Sequence, residues 1–374
     1  MTKGVEVAER VVTLLSAGAF TATYKQAVLI AMMDLCISLT SGKGFPPTSI
    51  TTRQLAERII ELYWPQTRQW SEDGNARVLA QNNAGRAGTG RATIVRAIHE
   101  FRTVAEGTSS RAATLPSARA SCHSSYEALV CEVEWTLIEM PLPKLQRVGG
   151  HDTNWLYRIN WADSAARPRR SLVRAYQRGK MAGFDNQIRF QPGVAEAFVQ
   201  LAGILRPFVL QHWAAKVAAL NSLEEAKLPA FLFGVDRRSL EPVREPLIGV
   251  QAGGCFYCGR PLARSVEVDH FIPWARQPDN GIHNLVAAHP ACNNAKRDFL
   301  AAPGHVERWR DRSRVHALAL DQIAHDTQWE TGERRILGIA RGTYLRLPED
   351  ARLWRAKGEF VVANPQALLD LLAA

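Results

Sequence analysis

Apolar residues recur in steps of three and four through the first hundred positions, so residues 5 to 105 read as helical. Tyr24 to Leu39 is apolar almost throughout, which predicts a helix buried on all sides. After a break over Gly42 to Pro47, Thr51 and Thr52 offer caps to a helix ending before Pro65, with Leu55, Ile59, Ile60 and Tyr63 along it; the spacing of 55, 59 and 63 lines up one face. Gln81 to Arg91 reads as a loop and Thr93 to Arg102 as a further helix, an order compatible with either a helix-turn-helix arrangement or a plain helical scaffold. Glu106 to Ser125, rich in Ser, Ala, Arg and Thr, reads as a linker, and Ser125 to Met140 as a helix closed by Pro141. Alternation over Trp155 to Trp161 predicts a strand, and Gln187 to Phe190 a second short one. Gly193 to Leu220 is a long helix that Pro207 is expected to kink or interrupt. Prolines and glycines crowd Pro229 to Pro246, which reads as a connector and the main boundary.

Composition changes this picture in two ways. The net charge of +10 favours a polyanionic partner. No apolar run reaches the roughly 18 to 20 residues that span a bilayer, and the opening MTKGVEVAERVV lacks the form of a secretory signal, so nucleic acid rather than membrane is the expected partner and the cytoplasm the expected compartment. The charge is also uneven. Arg167, Arg169, Arg170, Arg174, Arg178 and Lys180 follow one another closely, either as a phosphate-contacting surface or as a solvated helix face. Of the six cysteines, Cys36, Cys122 and Cys131 lie in or beside apolar helix-like segments and read as buried thiols.

The other three belong to a pattern that carries chemistry. Cys255 and Cys258 are separated by two residues, as are His289 and Cys292, and two such pairs supply four ligands to a tetrahedral structural Zn²⁺. Glycines 253, 254 and 259 suit the tight turns of a zinc knuckle. Between the pairs lie Asp269 and His270, followed closely by Pro273, then Asn284 and Leu285; Asn293 and Lys296 follow the second pair. Phosphodiester hydrolysis needs a base for the attacking water and a cation to offset charge on the phosphate. His270 suits the base, Asp269 and Asn293 offer hard oxygen ligands for Mg²⁺ or Mn²⁺, and Lys296, one helical turn beyond Asn293, is within reach of a phosphate oxygen. Adjacent residues on a strand point to opposite faces, so Asp269 and His270 share one centre only if the strand ends or is irregular there.

In order and spacing, this stretch of about residues 250 to 310 resembles the HNH endonuclease superfamily with its ββα-metal fold. The resemblance implies that His270 is the general base, that Asp269 and Asn293 bind the catalytic divalent cation, that Asn284 holds the loop orienting His270, and that Lys296 contacts substrate phosphate. His289 stands where the family often has Cys, Asn293 where it often has His, and Trp274 to Ile282 lacks the usual glycine pair, which leaves that loop's path open. Thr23 to Lys25, Leu55 to Trp64 and Gln81 to Asn83 look similar to the front halves of bacterial HNH proteins in anti-phage defence operons, Zorya-type effectors among them.

The expected fold class is therefore α+β: a helix-rich region over residues 1–245, concerned with nucleic acid or a protein partner and divisible near 106–125; a zinc-stabilised ββα-metal domain over 246–330; and a helical extension over 331–374. The expected activity is metal-dependent hydrolysis of DNA, nicking as a monomer, with other proteins of a defence operon as further partners. The rivals are an RNA nuclease using the same centre and a zinc-stabilised nucleic-acid-binding module without catalysis. The sequence does not fix the oligomeric state.

Overall fold

A computed structural model describes residues 3–16, 22–72, 75–83, 93–108, 114–148, 151–163, 166–179, 184–234, 239–262 and 265–373. The fold is α+β and mostly helical, with short strands. The chain divides into two compact units, one of residues 1–36 and 47–237, the other of residues 37–46 and 238–374.

The helix Tyr24–Ser38, which belongs to the first unit as far as Cys36, has hardly any polar face, and Ala27 through Met33 are all buried. Thr51 caps the helix Thr52–Tyr63 through a reciprocal bond pair with Gln54, and Leu55, Ile59 and Tyr63 face the core together. Three strands, Ser49–Thr51, Gln187–Phe190 and Tyr157–Arg158, form an antiparallel sheet with Gln187–Phe190 in the centre. The alternating stretch Trp155 to Trp161 thus contributes only two strand residues; Leu156, Tyr157 and Trp161 are buried within it.

Four expectations need correction. The supposed linker over 106–125 contains the helix Leu115–Ser121, capped by Thr114 with Pro116 in its first turn, and His123–Glu139 begins within it. The helix Val194–Asn221 is not interrupted at Pro207, which lies inside it. The supposed connector over 229–246 holds helix Leu228–Leu232 and most of Glu241–Val250, where a proline in the first turn removes no needed N–H. Val194–Asn221 is also long enough, and over an 18-residue window of mean hydropathy 1.2 apolar enough, to cross a membrane, although Phe198, Leu205, Val209, Trp213 and Val217 along it are buried. Most of the expected loop over 81–91 lies outside the described residues, as does Lys180.

The arginine-rich stretch forms the helix Arg170–Gln177, anchored by buried Val173. Arg170 pairs with Glu132 at 2.6 Å, whereas Arg167, Arg169, Arg174 and Arg178 are exposed and pair with no described acid.

The second unit is built around an antiparallel hairpin, Glu267–His270 with Leu285–Ala288, followed directly by the helix Pro290–Lys296. Val243, Leu247, Ile282, Leu285, Ala287, Leu320, Ala324 and Trp329 form its core. Helices Pro303–Val315, Ala317–Asp326 and Glu333–Tyr344 follow; then a second hairpin, Arg352–Ala356 with Glu359–Val362, and helix Pro365–Ala373. Residues 331–374 therefore include strands as well as helices and belong to the same unit as the first hairpin.

Candidate metal centre and hairpin site

The zinc pattern closes in space. One ligand atom from each of Cys255, Cys258, His289 and Cys292 lies within 4.8 Å of the others, against about 3.8 Å between sulfurs expected around a tetrahedral zinc. The chain reaches this arrangement through turns at Gly253 (φ +74°) and Gly259 (φ +71°), a backbone region in which a side chain would be strained. His289 shows which nitrogen is available: Nε2 lies 3.1 Å from the carbonyl of Pro261, and Nδ1 lies 3.4 Å from Cys258 Sγ. A carbonyl can only accept, so Nε2 carries the proton and Nδ1 is left as the donor atom for a metal.

The thiols respond to one another's charge. Burial raises Cys258, but hydrogen bonds from the Arg260 backbone, His289 and the neighbouring cysteines bring it down to about 7. Burial, with Cys255 and Cys258 beside it, pushes Cys292 up to about 12. Crowded thiols resist ionising together until a cation offsets them. The donor set, three sulfurs and one imidazole nitrogen, suits zinc.

Beside this knuckle, the hairpin and the Pro290–Lys296 helix bring Asp269, Asn293 and Lys296 onto one strand–helix contact. Asp269 pairs across the hairpin with Val286 and His270 with Leu285. Both bonds to the Asp269 carboxylate converge on Oδ2: the Tyr257 hydroxyl donates to it, and Lys296 Nζ lies 3.0 Å away. Oδ1 has no hydrogen-bond partner among the described residues. Asn293 has the same form. Its Nδ2 donates to Glu267 Oε2 at 2.8 Å, and its Oδ1 is without a described partner. Glu267 and Asp269 alternate on the strand and so share a face, and the helix residues Asn293 and Lys296 each bond to one of them. Each proposed cation ligand thus has one atom tied and one oxygen open.

Lys296 lies elsewhere than its expected role requires. Its side chain is 0% exposed, and Nζ, besides pairing with Asp269, donates to the His270 carbonyl at 2.9 Å. Burial lowers its pKa, while the Asp269 charge opposes that shift. Burial, reinforced by Asp269, raises Tyr257 well above the ordinary phenol value, so the hydroxyl stays protonated as a donor. Lys296→Met should leave Asp269 without its cation in a nearly closed pocket and cost about 3 kcal/mol or more in urea unfolding. Combining it with Asp269→Asn should recover part of that loss, a coupling that a double-mutant cycle reads directly.

Asn284 bridges the loop before it. Its Oδ1 accepts from the Ile272 N–H at 2.8 Å, and its Nδ2 donates to the carbonyls of Ile272 (3.2 Å) and Asp279 (3.0 Å). The loop is also held from the C-terminal side. Arg335 pairs with Asp279 at 2.9 Å, Trp329 Nε1 donates to the Asn280 carbonyl at 2.6 Å, and Ile282 N–H donates to the Glu330 carbonyl at 2.8 Å. The buried Arg312 donates to the carbonyls of His283 and Leu285, and burial brings its pKa down to about 10. His270, half-buried, meets Asn280 through Nε2 at 2.9 Å, with the Trp274 ring edge-on beside it.

Sequence reasoning singled out neither Tyr257, Glu267 and Asn280 nor the tethers from Trp329 and Arg335. Glu267 alone had a local signal, its alternation with Asp269. The others depend on packing between distant segments.

Residues 255–299 match the family model described as HNH endonuclease. No curated protein and no solved structure matches the chain at a significant level. The matched segment begins at the first cysteine of the knuckle and contains the hairpin, the loop held by Asn284, and the helix bearing Asn293 and Lys296. The second unit of this chain therefore carries an HNH endonuclease domain.

Proposed function

We propose that the chain is a metal-dependent nuclease that hydrolyses phosphodiester bonds in DNA, cutting one strand per centre. The observation that carries this reading is the pair of open oxygens, Asp269 Oδ1 and Asn293 Oδ1, on side chains whose other polar atoms are held, with His270 closing the strand that bears Asp269. A carboxylate and a carboxamide oxygen suit a hard cation such as Mg²⁺ or Mn²⁺. That cation, when bound, offsets negative charge on the phosphate and the departing oxygen.

The chain's own residues do the rest. His270 takes the proton of the attacking water. Tyr257 and Lys296 fix the Asp269 carboxylate, Glu267 fixes the Asn293 amide, and Asn284 holds the loop opposite His270. The zinc knuckle keeps hairpin and helix in register. A purely nucleic-acid-binding zinc module has no need of this second arrangement, which ranks the nuclease first.

The exposed arginines Arg167, Arg169, Arg174 and Arg178, which pair with no acid among the described residues, support a nucleic-acid substrate, since such cations release counterions when they meet phosphates. The resemblance of the N-terminal region to proteins of anti-phage operons supports a role in defence, in the cytoplasm and alongside other proteins of such an operon. The test is digestion of supercoiled plasmid and of total RNA in parallel, with Mg²⁺ or Mn²⁺ and with EDTA as control. Conversion of plasmid to the open circle, abolished by EDTA and with RNA left intact, is the expected outcome. Degradation of RNA alone would move the substrate class, and no cleavage of either would favour the binding module.

A further inference from the structure

We propose that Asn280 is a positioning residue for His270: its side-chain oxygen holds the Nε2 proton and so leaves Nδ1 as the atom that receives a proton from water. The inference rests on the reading of His270 as the base and specifies which atom acts.

A neutral imidazole has one donor nitrogen and one acceptor nitrogen, and the bond made by one decides the role of the other. In this protein Nε2 lies 2.9 Å from Asn280 Oδ1, while Nδ1 has no partner among the described residues. With the amide in this orientation, Nε2–H donates and the Nδ1 lone pair is open. With the amide reversed, Nδ2–H would donate to Nε2, the proton would sit on Nδ1, and the open nitrogen would have no basicity left.

Charge and anchorage both favour the first arrangement. When Nδ1 takes a proton the ring becomes a cation, and an Nε2–H bond to a carbonyl-type oxygen is strengthened by that charge. A reversed amide would instead set one N–H against another as the ring charges. Asn280 is also anchored through its main chain and its neighbours. Its carbonyl receives the Trp329 indole N–H at 2.6 Å, its neighbour Asp279 is paired with Arg335, and Asp279 Oδ1 accepts from the Gly281 N–H at 2.9 Å. The main chain at 280 is therefore fixed on both sides, and the short side chain reaches the imidazole with few rotamers to lose. Trp274, with its ring centroid 5.4 Å from that of the imidazole, limits rotation of the ring.

The variants that test this are Asn280→Leu, which keeps the volume and loses the bond, and Asn280→Asp, which keeps an acceptor and cannot reverse. In the full-length protein, Asn280→Leu should lower kcat about 10- to 100-fold with KM within about two-fold, and Asn280→Asp should restore most of kcat. The second readout needs no turnover. Long-range ¹H–¹⁵N spectra of protein without added Mg²⁺ or Mn²⁺, with the His270 signals identified by their loss in His270→Ala, should show the Nε2–H tautomer in wild type and Asn280→Asp and a mixture in Asn280→Leu. An Nδ1–H tautomer in the wild type overturns the proposal, as does an Asn280→Leu protein with unchanged kcat and tautomer. Retained zinc and an unchanged melting profile in Asn280→Leu separate positioning from misfolding; a variant that fails this control is replaced by Asn280→Ala, judged by the same spectra. Failure of the base assignment itself is a different result: His270→Ala cutting at the wild-type rate, whatever the tautomer.

Discussion

Purified His270→Ala protein should leave supercoiled plasmid almost uncut, with the nicking rate at least about a thousand-fold below wild type. The expected size follows from what is removed. The imidazole is the group proposed to take up the proton, and its Nε2 side is held by Asn280. Truncation leaves Asp269 bonded to Tyr257 and Lys296, Asn293 bonded to Glu267, and the knuckle intact. Zinc content and thermal unfolding should therefore match the wild type. A His270→Ala protein that nicks at full rate would remove His270 from the reaction, and one that also loses zinc would show that the side chain is structural.

The second large effect is expected at the knuckle. Cys258→Ser should purify with far less than the one zinc equivalent per chain expected of the wild type and with a destabilised second unit. A structural Zn²⁺ contributes on the order of 10 kcal/mol to the fold that creates its site, and loss of one thiolate forfeits much of it. The effect should spread, because the knuckle is tied to the rest of the unit: Arg308 donates to the carbonyls of Phe256 and Tyr257, and the Phe256 ring stands edge-on to Phe271, which stacks on Trp309. Tyr257, the donor to Asp269, lies between Cys255 and Cys258, so losing the metal should also release the proposed cation ligand. Metal analysis with a colorimetric chelator and hydrogen exchange over residues 255–296 would check both parts. A full zinc equivalent in Cys258→Ser would exclude that sulfur from the ligand set.

How much of this was legible in the sequence depended on how local each feature is. The knuckle was legible because each pair of ligands has its own short spacing, and two pairs leave few ways to close. The gathering of Asp269, Asn293 and Lys296 was legible because a strand alternates and a helix repeats every three to four residues, over a short separation. The direction of Lys296 was not. Its ammonium lies over the Tyr257 ring, and Tyr257 is packed by His305 and by Trp354 on the second hairpin, nearly a hundred positions from Tyr257. The path of the loop over 274–282 was open for the same reason, since its tethers come from Trp329, Glu330 and Arg335. The hidden helix after Thr114 is a different case. Thr114 and Pro116 are recognisable start signals, and the small polar composition around them obscured a local cue.

The clamp from Trp329, Glu330 and Arg335 onto residues 279–282 has a consequence for any attempt to move this nuclease. An excised 255–299 segment would take along every ligand and the imidazole, yet abandon the three side- and main-chain grips that set the height of the wall facing that imidazole. Grafts or fusions cut after the short helix would inherit the chemistry without its alignment, and a workable boundary lies beyond Tyr344, whose hydroxyl is bonded to the carbonyl of Ala301.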